Sequence, residues 1–343
     1  MGRMYNKILK RIFIIAEAGV NHNGKLLLAK KLALKAKESG ADAVKFQTWR
    51  TEDIILPGTK SLKYQKKNSR QNQYEIAKSL ELSFSEFKQL QNYCKKINIL
   101  FVSTPDDIKS AKFLNNIQPF FKIGSPEINN FHLLNVVAKF RKPILLSTGL
   151  SNVKEIEKTI NFLKKINFPI KKKLILMHCN SAYPTSKKDV NLSAINTLRK
   201  KFNVMIGFSD HTEGIDCSVW SVFLNSKVIE KHITISKKMR GPDHVSSLDP
   251  VEFKRMVNKI REAEIAIGSG KKEVSTSAKR NKKLMMRSIY AKIPVFKGDA
   301  FTEKNIVTKR PAGGIDPTFF FKLIGKKAKK NYQINDRISV IEI

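Results

Sequence analysis

Short apolar, β-branched runs recur through roughly the first 270 residues, and most are followed by a stretch of helical spacing. The runs at 12–18, 42–48, 97–103, 120–124, 143–147, 173–179, 204–208 and 228–232 predict eight strands. Amphipathic stretches at 25–39, 84–96, 107–114, 132–140, 153–165 and 215–225 predict helices between them, and 253–266 closes the series before Gly268-Ser269-Gly270. Strands that alternate with helices run parallel. Eight of them in this length predict an α/β fold, the (β/α)8 TIM barrel. A doubly wound dinucleotide sheet fits less well, because Gly19 and Gly24 lack the G-x-G-x-x-G spacing after the first strand. The polar stretch 50–72, with a turn at Pro57-Gly58, is long for a connection and reads as an active-site lid.

Beyond Gly270 the pattern changes. Residues 276–286 are polar and basic and read as a linker between a barrel at 1–275 and a small, mostly β domain at 287–343. That last domain is short for a large core, so it is expected to lean on the barrel or on a partner subunit.

Polar residues collect at one end of the predicted strands: Glu17, Lys45 with Gln47, Thr104, Lys122 with Ser125 and Glu127, Ser147 with Thr148, His178, Ser209 with His211, and His232. In a barrel these positions line one mouth, where such folds keep their chemistry. Lys45 and Lys122 lie within apolar strands and point inward, so each needs an anion. Two together favour a bound phosphate or carboxylate over a structural ion pair. His211 and His232 end successive parallel strands and can converge as half of a divalent-metal site, the alternative being two unrelated core histidines. His22, in Asn-His-Asn-Gly, also suits a turn, His178 suits packing, His132 falls on a helix, and His244 falls in a loop.

Composition narrows the functional classes. The chain has 343 residues, 41% hydrophobic and 27% charged, and no run of eighteen apolar residues, which describes a soluble globular protein without a transmembrane helix. The basic start before Ile12 imitates a signal peptide until Glu17 and Asn21 interrupt the apolar region, so it reads as a short tail. Cys94, Cys179 and Cys217 are odd in number and widely spaced, which suggests no disulfide framework and fits a reducing cytoplasm. The net charge of +36 comes mostly from lysines spread over every helical stretch. That spread points to a solvated surface that steers anionic substrates, with no specific nucleic-acid or membrane partner. A basic binding module is the reading from a different class.

The motifs, taken together, resemble those of the sialic acid synthases. They are I-I-A-E-A-G-V-N-H-N-G (14–24), V-K-F-Q-T (44–48), F-V-S-T-P (101–105), K-I-G-S-P-E (122–127), L-S-T-G (146–149), H-C-N-S-A-Y-P-T (178–185), G-F-S-D-H-T (207–212), E-K-H-I-T (230–234) and G-P-D-H (241–244). The segment K-R-P-A-G-G-I (309–315) resembles that family's antifreeze-protein-like (SAF) domain.

The resemblance implies condensation of phosphoenolpyruvate with N-acetylmannosamine to give N-acetylneuraminate and phosphate. A 2,4-diacetamido-2,4,6-trideoxymannose acceptor, giving N,N'-diacetyllegionaminate, is the alternative, and a catalytically inactive basic module the reading outside the class. By the same resemblance His211 and His232 bind a divalent cation, Mn²⁺ first and Mg²⁺ or Co²⁺ otherwise. Lys45 and Lys122, with Thr104, Ser125, Ser147, Ser181 and Ser209, hold phosphoenolpyruvate, while Glu127 positions water. Glu17, Tyr183 and Asp243 bind the sugar, and Arg310 reaches in from the partner of a domain-swapped homodimer. Two departures stand out. Pro126 replaces the usual glycine of Gly-Ser-Gly-Glu and removes a backbone N–H, and Asn180-Ser181 stands where many members begin with threonine.

Overall fold

The computed structural model describes Ile8, residues 10–60 and residues 72–342. Within these, eight parallel strands form one sheet: β1 (Phe13–Gly19), β2 (Ala43–Thr48), β3 (Leu100–Pro105), β4 (Phe121–Ile123), β5 (Ile144–Ser147), β6 (Leu174–His178), β7 (Met205–Asp210) and β8 (Val228–His232). Their order is β3-β2-β1-β8-β7-β6-β5-β4. β3 and β4, at the two ends of that order, pack against each other without a ladder, so the sheet curls into a nearly closed barrel.

Two faces of each strand make two cores. Outward residues such as Ile14, Val44, Phe101, Phe121, Leu146 and Ile229 pack under the helices. Inward residues fill the barrel floor: Phe13 and Ile15 from β1, Ala43, Val102, Leu145, Ile175, Met177 and Val228. Since side chains alternate along a strand, the next inward positions beyond that floor are Glu17, Lys45, Thr104, Lys122, Ser147, Ser209 and Glu230. Apolar packing below and charge above are thus set by the same period of two.

The helices start where short polar side chains can cap them. Ser83 with Glu86, Asn152 with Glu155, and Asp249 with Glu252 form capping boxes. Asn98, Asn203 and Asn225 take positive φ between a helix and the following strand, a conformation asparagine tolerates better than most residues. That turn explains one difference from expectation: Ile97 caps the helix Phe84–Lys96, Asn98 turns the chain, and β3 begins at Leu100 rather than at 97. The helices Gln73–Leu80 and Ala194–Phe202 have no counterpart in the sequence reading. Of the expected lid, residues 61–71 lie outside the described residues, and Thr51–Ile54 is a short helix.

The chain divides into two compact units, the first ending at Gly268 and the second starting at Ser269. In the second, the stretch expected as linker is the helix Thr276–Met285. Ser275 caps it by accepting from the Ala278 amide, and neither proline nor glycine interrupts it. Strands β9 (Ser288–Ala291) and β10 (Ile306–Lys309) form an antiparallel pair. The unit has an apolar cluster of its own, including Ile289, Val295, Phe301, Tyr332 and Ile338, despite its length. Among the described residues no helix is long and apolar enough to cross a membrane, and all three cysteines are free and buried.

Candidate active site at the barrel mouth

Every residue assigned a catalytic, substrate or metal role from the sequence, except Arg310, lines one cleft of about 680 Å³ at the C-terminal ends of the strands. Thr148, expected at the same mouth, bonds the Met177 carbonyl instead, and His178 that of Val190. Arg310 belongs to the second unit and is exposed there.

At the floor of the cleft the lysines already have anions. Lys45 Nζ lies 2.9 Å from Glu17 Oε1 and 3.9 Å from Glu230 Oε2, and donates to Thr104 Oγ1 at 3.0 Å. Lys122 Nζ donates to Glu230 Oε1 at 3.1 Å, and Ser209 Oγ donates to the same oxygen at 2.9 Å. The two lysines expected to need a bound anion are thus paired with carboxylates of the protein itself, Glu17 and Glu230. All four ionisable side chains are buried. Burial raises the Glu17 carboxyl to about 7 even though Lys45 opposes it. Burial acts on Glu230 in the same sense, yet Lys122 and Lys45 together outweigh it and hold that carboxyl at about 2. The result is a buried strip of two ammonium groups and one firmly ionised carboxylate. Glu17 Oε2 and Glu230 Oε2 keep no hydrogen-bond partner.

The histidines meet on the adjoining rim, their ring centroids 5.6 Å apart. The end of β7 and the turn after it, Gly207-Phe208-Ser209-Asp210-His211-Thr212, are fixed by Asp210, which accepts from Thr212 N (2.8 Å), Thr212 Oγ1 (2.7 Å) and Ser218 Oγ (2.6 Å) and pairs with buried Lys231 at 3.1 Å. His211 Nδ1 lies 2.6 Å from the Asn180 carbonyl and donates to it, which leaves Nε2 with a lone pair. Burial pulls its imidazole down to about 4 and that of His232 well below the usual range, so both rings are neutral. His232 Nδ1 is buried without a hydrogen-bond partner, 3.9 Å from Asp243 Oδ2. Two neutral imidazoles, one held by a backbone carbonyl and one with an orphaned nitrogen, suit a borderline divalent cation. Among the described residues no group of three or more His, Cys, Asp or Glu side chains is arranged to hold a metal ion, so such a cation needs further ligands from substrate or water.

The remaining side chains complete two walls. Tyr183 packs on His211 at a tilt of 34°, with centroids 4.2 Å apart, and meets His232 edge-on at 5.8 Å. Ser125 Oγ accepts from the Gly149 amide at 3.0 Å, and a Cβ at Gly149 would sit 2.7 Å from Ser181 Oγ and 3.1 Å from Ser125 Oγ. Glycine is required there for the two hydroxyls to converge. Pro126 occupies the first turn of the 3₁₀ helix Ser125–Glu127, where its missing N–H breaks no helical bond, and Glu127 N still bonds Gly124 O at 3.1 Å. Glu127 is held by Asn130 Nδ2 at 2.6 Å.

A profile of the NeuB family matches residues 32–272, most of the chain. The chain belongs to the NeuB family. It is 43% identical to the N,N'-diacetyllegionaminic acid synthase of Campylobacter jejuni over 96% of this chain and 99% of that one. With the enzyme of the same name from Legionella pneumophila it shares 40% identity over 93% and 91% of the two chains. Among solved structures, the N-acetylneuraminic acid synthetase of Leptospira borgpetersenii superposes with a TM-score of 0.71 at 34% identity, covering 79% of this chain and 90% of that one.

Within this NeuB-family barrel, two cleft residues escaped the sequence reading. Glu230 sits two residues before His232, so the pleat turns both inward, and E-K-H shows that spacing once β8 is placed. Asp106, just past the end of β3, lines the cleft beside Glu127, and burial together with that neighbouring carboxylate pushes its carboxyl up to about 8. His22, by contrast, is a turn residue: its Nδ1 accepts from the Gly24 amide at 3.1 Å. His178 packs on Phe208 and bonds the Val190 carbonyl at 2.8 Å, as a packed residue should.

Proposed function

We propose that this chain joins phosphoenolpyruvate to 2,4-diacetamido-2,4,6-trideoxymannose, giving N,N'-diacetyllegionaminate and phosphate. The observation that carries the choice of acceptor is the 43% identity to the Campylobacter jejuni synthase across nearly the full length of both chains. It favours the diacetamido sugar over the N-acetylmannosamine that the motif resemblance put first.

In this reading Lys45 and Lys122 grip the anionic groups of phosphoenolpyruvate through charge-assisted hydrogen bonds, with hydroxyls from Thr104, Ser125, Ser147, Ser181 and Ser209 around them. Glu17, Tyr183 and Asp243 hold the open-chain sugar. C3 of the enol attacks the aldehyde carbon, whose oxygen takes up a proton from solvent to become a hydroxyl, and C2 is left electron-poor. Water positioned by Glu127 adds to C2 and gives its proton to the carboxylate. Loss of phosphate from C2 then leaves the 2-keto acid. A divalent cation on His211 and His232, Mn²⁺ in the first instance, would supply Lewis acidity at the aldehyde oxygen. Arg310 is assigned to the same site from a second copy of the chain, in a domain-swapped homodimer.

The test offers each sugar with phosphoenolpyruvate and reads phosphate release and product mass. The diacetamido acceptor is expected to give the larger kcat/KM; N-acetylmannosamine turned over faster would move the assignment to N-acetylneuraminate. Chelation is expected to abolish turnover and Mn²⁺ to restore it. His232→Ala is expected to lose both turnover and calorimetric Mn²⁺ binding while keeping a cooperative melt. Salt-sensitive nucleic-acid binding without any phosphate release would favour the inactive module.

A further inference from the structure

One wall of the cleft takes no part in the chemistry above. It is built from Trp49, Ile54 and Ile55 after β2 and from Gln73, Ile76, Ala77 and Leu80 on the helix Gln73–Leu80, Gln73 being the polar member. Trp49, Ile76 and Leu80 are buried in a satellite apolar cluster with Ile54 and Ala77 packed on it, separate from the two barrel cores. The polar atoms behind this wall are already committed. Trp49 Nε1 donates to Thr51 Oγ1 at 3.2 Å, Thr51 Oγ1 donates to Glu81 Oε2 at 2.8 Å, and Arg50 pairs with Glu81 at 2.8 Å. The cleft thus has a charged floor and a side that is apolar apart from Gln73.

A sugar bound with its aldehyde carbon at the floor must lay some of its remaining carbons along the walls. Hydroxyls laid against aliphatic carbon lose their water without gaining a partner, whereas methyl groups gain contact area there. We propose that Ile54, Ile55, Ile76 and Ala77 are specificity-determining residues that select an acceptor presenting methyl groups, a 6-deoxy carbon or an acetamido methyl, over one presenting hydroxyls. This rests on the synthase reading of the site and adds to it the residues that discriminate among acceptors. The polar floor serves any acceptor; the aliphatic wall ranks them.

The experiment measures kcat/KM for 2,4-diacetamido-2,4,6-trideoxymannose and for N-acetylmannosamine in the wild type, Ile54→Asn and Ile76→Asn, with phosphoenolpyruvate KM and thermal melts alongside. Ile54 is only half-buried, so its variant keeps the test alive if Ile76→Asn does not fold. The expected result is a ratio of the two kcat/KM values that falls by about tenfold or more toward N-acetylmannosamine, the size a misplaced polar group produces in an apolar pocket. Phosphoenolpyruvate KM is expected to stay unchanged, because the floor is untouched. A ratio that does not move in folded variants overturns the inference and leaves the synthase reading intact. Absence of phosphate release from wild type with either sugar overturns that reading instead, and the inference with it.

Discussion

Glu230 accepts from Lys122 at 3.1 Å and from Ser209 at 2.9 Å, and lies 3.9 Å from Lys45. Removing it alone strands the buried Lys122 cation, while Lys45 keeps Glu17 at 2.9 Å, so Glu230→Ala is expected to cost about 3–5 kcal/mol in urea unfolding. Replacing Glu230 by leucine and Lys122 by methionine together is expected to cost less than either single change, because no unpaired charge remains between them. His22 gives the pH dependence a definite sign. Burial lowers its imidazole from 6.5 to about 4, and Nδ1 is needed as the acceptor for the Gly24 amide. The unfolded chain takes up its proton near 6.5 and the fold only near 4, so the contribution is intact above 6.5 and drains away as pH falls toward 4. The loss approaches about 3 kcal/mol at the acid end. Chemical unfolding across that window is expected to show a shallower slope in His22→Gln than in the wild type.

Between residue and fold, the helix Gln73–Leu80 is seated by a glycine distant in sequence. Gly24 has φ +67°, and a Cβ there would stand 2.4 Å from the Ser79 carbonyl oxygen. Gly24→Ala is expected to destabilise the protein by about 1–3 kcal/mol in a thermal melt, and to raise the acceptor KM by shifting the aliphatic wall. That helix also marks the limit of what the sequence disclosed. Its residues, Gln73-Tyr74-Glu75-Ile76-Ala77-Lys78-Ser79-Leu80, hold few apolar positions, and what they pack on, Val20 and Trp49, comes from two other strand ends. No local period announces such a contact. The strands were legible because each carries an apolar run, and the cleft because strand ends in a parallel barrel share one mouth. Glu230 stayed hidden because E-K-H alternates charge inside a short strand, where only knowledge of the inward face separates Glu230 and His232 from Lys231. Lys231 itself turns outward to Asp210 and fixes the loop that carries His211.

For the whole molecule, the cleft is formed within the first unit and Arg310 lies in the second. The assignment of Arg310 to a partner's site has a direct check. Arg310→Ala and His232→Ala are each expected to be inactive, and co-refolded in equal amounts they are expected to regain about a quarter of the wild-type sites, since a two-fold mixed dimer restores one of its two sites. Activity that stays absent in the mixture, with mixed dimers demonstrated, would remove the shared-site assignment. The +36 net charge is expected to act at this scale as well, by raising the association rate of anionic substrates at low salt and less so as salt is added.

The barrel interior also decides which carbon–carbon chemistry is open to it. An amine that is to trap an aldehyde as an imine must present a free electron pair, whereas the Glu17 and Glu230 carboxylates outweigh burial and hold Lys45 above the ordinary lysine range, and Lys122 is tied to Glu230 in an ion pair. Borohydride added during turnover should therefore find no adduct to reduce, and the sugar should leave the enzyme without ever having been tethered to it.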